Sequence, residues 1–184
     1  MNTGSLATAG FDFQANYQMD ANSFGSLTFD YIATILDKLE IQSLPDAEVT
    51  PPEDCAGFYG GACQTNFGTG SNPEYRHKAT VGWESLSGTF GVTTTWRYID
   101  EVSLKGNDDP ENINATLDSQ NYFDLAGRWS ATDYLTLRAG VNNVFEEDPP
   151  LSSVVGTAPG NGNTYPQVYD ALGRYVFFNA TLDF

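Results

Sequence analysis

The amino-acid sequence predicts an all-β fold, an antiparallel up-and-down meander of about seven long strands. Three observations carry the prediction. Apolar and polar residues alternate with period two in seven segments of about 9 to 12 residues, the links between segments are alternately short and long, and the composition suits a pleated surface. The 184 residues include 12 Phe, 10 Tyr and 18 Gly but only 2 Met, and aromatic and β-branched side chains fit strands better than helices.

The first segment, 10–18, sets Phe11, Phe13, Ala15 and Tyr17 against Asp12, Gln14, Asn16 and Gln18. The second, 25–36, opposes Leu27, Phe29, Tyr31, Ala33 and Ile35 to Ser26, Thr28, Asp30 and Thr34, with Ile32 the exception. In the third, 74–84, Tyr75, His77, Ala79, Val81 and Trp83 alternate with Arg76, Lys78, Thr80, Gly82 and Glu84. The fourth, 89–99, places Phe90, Val92, Thr94, Trp96 and Tyr98 opposite Gly91, Thr93, Thr95 and Arg97. Phe123, Leu125 and Trp129 face away from Asp124 and Arg128 in the fifth, 122–130. The sixth, 134–145, sets Leu135, Leu137, Ala139 and Val141 against Thr136, Arg138, Gly140 and Asn142. The seventh, 174–184, alternates Val176, Phe178, Ala180, Leu182 and Phe184 with Asn179, Thr181 and Asp183.

Strands of soluble sandwiches run to ~5–6 residues, whereas a tilted membrane-spanning strand needs ~9–11. The segment lengths therefore favour a barrel wall, with one row on lipid and the other on a wet lumen. Short links at 19–24, 85–88 and 131–133 alternate with long ones from Asp37 to Pro73, Asp100 to Gln120 and Glu146 to Gly173. All three long links emerge at the same end of such a meander, the pattern of outer-membrane barrels. Tyr17, Tyr75, Trp83, Trp96, Tyr98, Trp129, Tyr134 and Tyr175 fall near segment ends, where aromatic girdles meet the membrane boundary.

A formal net charge of -16 with only 8 Lys and Arg excludes nucleic acid as a partner, because phosphate neutralisation needs a basic footprint. No apolar run is long enough for a transmembrane helix. The mean hydropathy of -0.34 suits a soluble protein, but it also suits a barrel whose strands alternate. The first residues show neither the basic nor the apolar region of a signal peptide, so the expectation is either a cytoplasmic protein or a piece of a longer chain.

The stretch "YLTLRAGVNNVFEEDPP", followed by "TYPQVYDALGRYVFFNATLDF", resembles the C-terminal signature of TonB-dependent outer-membrane receptors. Its elements are Asn142, Asn143 and Phe145, then Pro149 and Pro150, then Tyr169, Asp170, Gly173 and Arg174 at the turn into the last strand. "DCAGFYGGAC" and "TTTWRYIDEV" resemble other recurrent segments of the family, less distinctively. The resemblance implies that residues 1–184 are the C-terminal portion of a 22-stranded transmembrane β-barrel with a plugged lumen, a size class of roughly 22 strands known for transporters. The plug domain and signal peptide are expected to be absent from the chain. Such a receptor sits in the outer membrane of a Gram-negative bacterium and takes up a scarce solute, of the siderophore, vitamin or oligosaccharide class. Coupling to TonB runs through the missing N-terminal part.

On the same reading Phe178, Ala180, Leu182 and Phe184 form the barrel-assembly signal, face outer-membrane lipid and are read by the barrel-assembly machinery. Asn142 and Asn143 satisfy backbone groups at a strand end. Pro149 and Pro150 lie beyond the ladder. Gly173 permits a turn, and Arg174 is a partner for Asp170 or another lumenal acid. An open sheet of seven strands leaves unpaired edges in lipid, so a curled sheet or an oligomer is expected if the chain folds alone.

Cys55 and Cys63, the only cysteines, lie in a Gly-rich loop; a disulfide is favoured over free thiols, since no further Cys or His is near to complete a metal site. Acids concentrate in the loops, including Asp46, Glu53 and Asp54, the run "GNDDPEN" at 106–112, and Glu146 to Asp148. The run lacks EF-hand spacing and reads as solvated charge. His77 is the only histidine and has no nucleophile motif near it, so no enzyme, metal or cofactor is expected and the ligand-binding residues stay unknown. A competing reading is a soluble, lectin-like ligand-binding module with its loops at one end.

Overall fold

The structure, a computed structural model, describes residues 4–44, 48–63, 70–109, 111–155 and 162–184; Asp46 and Pro110 lie outside them. Eleven strands follow in chain order: β1 Ser5–Asp20, β2 Ser26–Gln42, β3 Glu53–Asp54, β4 Phe58–Tyr59, β5 Tyr75–Glu84, β6 Phe90–Ile99, β7 Val102–Leu104, β8 Thr116–Leu117, β9 Gln120–Thr132, β10 Leu135–Asn142 and β11 Tyr175–Leu182. The only helical elements among the described residues are three short 3-10 turns. Seven strands make one wall in the order β1-β2-β5-β6-β9-β10-β11, each pair antiparallel. β3 adds to the end of β2, and β4, β7 and β8 form a separate small sheet.

The predicted alternation becomes one surface because neighbouring strands keep it in register over most of their length, with shifts at Ala9/Gly10 and Leu135/Thr136. Trp83 pairs with Val92, Val92 with Gly127, Gly127 with Ala139, and Ala139 with Phe178, so one apolar row crosses five strands. On the opposite face Ile32 pairs with Lys78, Lys78 with Arg97 and Arg97 with Tyr122. A slip of one residue in any strand would break both rows.

Aromatic rings on the apolar face gather in two tiers. Near the short turns Tyr17 meets Phe29, Phe90 stacks on Trp129, and the Trp83 indole donates to the Phe24 carbonyl at 2.7 Å. Near the long loops Tyr31, Tyr75, Trp96 and Tyr98 surround His77, and Trp96 stacks on Phe123 at 6.0 Å. From Phe90 to Tyr98 the strand rises about 26 Å, or about 20 Å once tilted, close to the height of a membrane barrel's apolar band. Tyr175 departs from the sequence expectation: it pairs with Asn142 and so belongs to the polar row rather than to a girdle.

Three strands outrun their predicted limits, β9 by two residues at each end. β1 and β2 extend together from the expected segments to Ser5 and Gln42, past a register shift between Ala9 and Gly10. The bulge interrupts the period, which hides the extension in the sequence. β10 instead ends at Asn142, three residues short of Phe145, because Asn143 turns the chain at φ 52. The short-turn end closes tightly, with Gly25 at φ 98, where a side chain would collide with the backbone of the next hairpin.

The wall has no second layer of protein against its apolar face among the described residues. Phe11, Phe13, Tyr17, Phe178 and Leu182 stay exposed, while the fully buried large side chains, Tyr59, Tyr122, Leu117 and Val102, all lie at the long-loop end.

Candidate functional site

At that end the three long connections collapse onto one another as a cap. β7 pairs in parallel with β4 and antiparallel with β8, which ties the first connection to the second. Around this sheet Tyr59, Ile99, Val102, Leu117, Tyr122, Val155, Tyr165 and Tyr169 form a single apolar cluster drawn from all three connections and two wall strands. The Tyr59 hydroxyl donates to the Asn114 carbonyl and lies 3.2 Å from the Ser152 hydroxyl, which in turn donates to the Asn114 side-chain oxygen at 3.0 Å. The Ser71 and Tyr169 hydroxyls sit 3.1 Å apart. Removal from water pushes the Tyr165 phenol up to about 12 and raises that of Tyr169.

A second, smaller cluster holds the first connection to β2. Cys55 and Cys63 are bonded to each other and packed with Ile41, Leu39 and Phe58. Asp54 accepts from the backbone N–H of Leu39 at 3.0 Å and of Ala56 at 3.1 Å. Those two bonds, the Leu39 one first, hold its carboxyl below the usual carboxylate range.

The turn motif ahead of β11 is clamped to the wall by Arg97. Its guanidinium donates to Asp124 at 2.9 and 3.1 Å and to Asp170 at 3.0 and 2.6 Å, and it lies 5.0 Å from the Tyr122 ring. The sequence suggested Arg174 as a partner for Asp170 or a lumenal acid. The structure pairs Arg174 with Glu146 in the loop at 2.8 Å, while Asp170 is taken by Arg97. In the sequence Arg97 stands out only as one residue of a polar row. No local spacing shows that 97, 124 and 170 converge.

The remaining motif residues fall into three places. Asn143 is fully buried; its backbone N–H donates to Asp124 at 2.9 Å, and its side chain bridges to the Glu147 backbone at 2.8 and 2.9 Å. Asn142 ends the β10 ladder, and Phe145 stands exposed with its ring on Phe123 at 5.4 Å. Pro149 and Pro150 lie outside every strand. Phe178, Ala180 and Leu182 occupy the apolar row of β11, and Phe184 projects beyond that strand.

His77 sits on the apolar face with its ring edge-on to Trp96 at 4.4 Å, and neither ring nitrogen has a hydrogen-bond partner among the described residues. No group of three metal-ligating side chains occurs among the described residues. Cavities open in the cap among the described residues. One of about 520 Å³ is lined by Phe58, Ser103, Lys105, Asn107 and Thr116, and one of about 290 Å³ by Glu74, Asp100 and Glu101 with Ser103. The third, of about 470 Å³, lies between Asp148, Leu151, Thr164 and Leu172.

No protein-family model and no curated protein matches the chain. Solved structures do. A point mutant of the ferric enterobactin receptor PfeA from Pseudomonas aeruginosa matches at a TM-score of 0.58 and 15% identity, covering 97% of this chain and 22% of that one. The FrpB iron transporter from Neisseria meningitidis matches at a TM-score of 0.55 and 15% identity, covering 95% of this chain and 23% of that one. The chain thus spans under a quarter of the length of the structures it matches. It has the fold of a seven-stranded portion of a TonB-dependent receptor barrel.

Proposed function

We propose that the chain is part of the membrane wall and the external loop cap of a TonB-dependent outer-membrane receptor that takes up a scarce solute. One observation carries the reading: an apolar face that runs across seven paired strands, interrupted only by register shifts at Ala9/Gly10 and Leu135/Thr136 among the described residues, left uncovered by protein and bounded by two aromatic tiers. In water that face would be a large aggregation liability, whereas in a bilayer it is the required surface. β1 and β11 are the two sheet edges, and in lipid every unpaired backbone group on them costs several kcal/mol. Further strands of the same barrel supply their partners, in keeping with the share of the receptor structures that the chain covers. The barrel-assembly machinery reads the apolar row of β11 that includes Phe178 and Leu182, and no catalytic role is assigned.

The experiment is fractionation followed by gel migration with and without heating. The reading predicts recovery in the outer membrane and a band whose mobility changes on boiling. Recovery as a freely soluble protein without detergent would overturn it in favour of a soluble binding module.

A further inference from the structure

Charge is divided very unequally between the two parts of the molecule. The three long connections with their strand ends, residues 37–74, 100–119 and 144–174, hold 17 of the 24 acidic residues and only 3 of the 8 basic ones, hence -14 of the net -16. All three basic residues there are already matched by an acid. Lys38 meets Glu40 at 2.8 Å, Arg174 meets Glu146 at 2.8 Å, and Lys105 meets Glu53 at 3.4 Å while also donating to the Asp54 carbonyl at 2.8 Å. The concave parts of the cap carry the same bias. The charged lining of the cavities described above is Glu74, Asp100, Glu101, Asp108 and Asp148 against the single, occupied Lys105. Lys78 and Arg76, which have no ion-pair partner among the described residues, lie on the polar face of β5, outside this cap.

Resting on the receptor reading, we infer that the solute admitted through this mouth carries zero or positive net charge, with the loops acting as an electrostatic filter against polyanions. A concave, single-sign lining concentrates ligands of opposite charge and excludes those of like charge. Hydrogen-bond donors on the solute suit the carboxylates of Glu74, Asp100 and Glu101. An anionic solute finds no unmatched cation on the described part of the cap.

Ser103 is exposed and lines the two cavities that adjoin β7, and both native cysteines are bonded. In outer-membrane vesicles carrying the Ser103→Cys protein, the new thiol is treated with a cationic trimethylammonium and an anionic sulfonate methanethiosulfonate, each rate normalised to a free small thiol. The expected preference for the cationic reagent is about tenfold at low ionic strength, and it shrinks toward one near 1 M salt, where screening acts within about 3 Å. Glu74→Gln with Glu101→Gln lowers it severalfold. Thr116→Cys, in the same lining, serves as the probe should the first variant fail to assemble. A normalised ratio of one or below at low salt overturns the inference. So does tight binding of a trianionic ferric tris-catecholate in preference to a neutral ferric tris-hydroxamate, and neither result touches the receptor reading, which stands or falls on fractionation.

Discussion

Wall and cap use the same kinds of apolar residue in opposite ways. In the wall Phe11 and Phe178 keep 72% and 70% of their surface exposed, whereas in the cap Tyr59 and Leu117 keep 0% and 1%. The cap is held as a water-soluble domain is held: a packed cluster, a disulfide and hydroxyls paired inside it. The wall is held by its ladder, and its greasy side is left uncovered by protein among the described residues. Burial marks a hydrophobic core only where the surroundings are aqueous; on the proposed receptor reading the exposed rows of the wall face lipid instead.

The strongest way to break the comparison is a charge placed on alternate faces of β9. Leu125→Arg puts a cation on the apolar row and should cost about 2–4 kcal/mol, while the adjacent Ala126→Arg, on the polar row, should cost about 0–1 kcal/mol. Unfolding in urea from vesicles measures both, and equal costs would remove the distinction between the faces. Cys55→Ser with Cys63→Ser should then weaken the cap by about 2–3 kcal/mol through the lost loop closure, leaving the unfolding of the wall in place. Limited proteolysis reads this, with new cleavage confined to 44–73.

Removing the clamp, Arg97→Met, leaves Asp124 and Asp170 without their cation. The cost for a buried pair is about 3–5 kcal/mol, and partial exposure of this one brings the expectation to about 2 kcal/mol. It should appear as release of the 144–174 connection, and global loss of the barrel instead would show that wall and cap are one cooperative unit. Alkali sharpens the comparison further. A phenol raised on folding contributes fully below its unfolded value, and that contribution is lost as pH climbs through the folded one. Tyr165 therefore predicts a cap that loosens between pH 10 and about 12, followed by tyrosinate absorbance, while the ladder's circular dichroism holds.

Much of the wall is legible in the sequence because each strand separates an apolar face from a polar one, and that leaves a period of two in the residues themselves. The extension of β1 and β2 is not, since the register shift at Ala9 and Gly10 breaks the count, and neither is the end of β10 at Asn143, whose positive φ is a property of the turn. The cap is hidden for a different reason. Its contacts join Tyr59 to Ser152 and Ser71 to Tyr169, residues whose separation along the chain no local pattern encodes. The Arg97 clamp is of the same kind. The acid-rich loops could be counted in advance; the neutralisation of all their cations could not.

The account rests on the apolar face touching acyl chains. Single cysteines at residues 91 to 96 of β6, treated in outer-membrane vesicles with a polar, membrane-impermeant maleimide, test this directly. The account predicts labelling at 91, 93 and 95 and protection at 92, 94 and 96. Uniform labelling, or the reverse alternation, would contradict it.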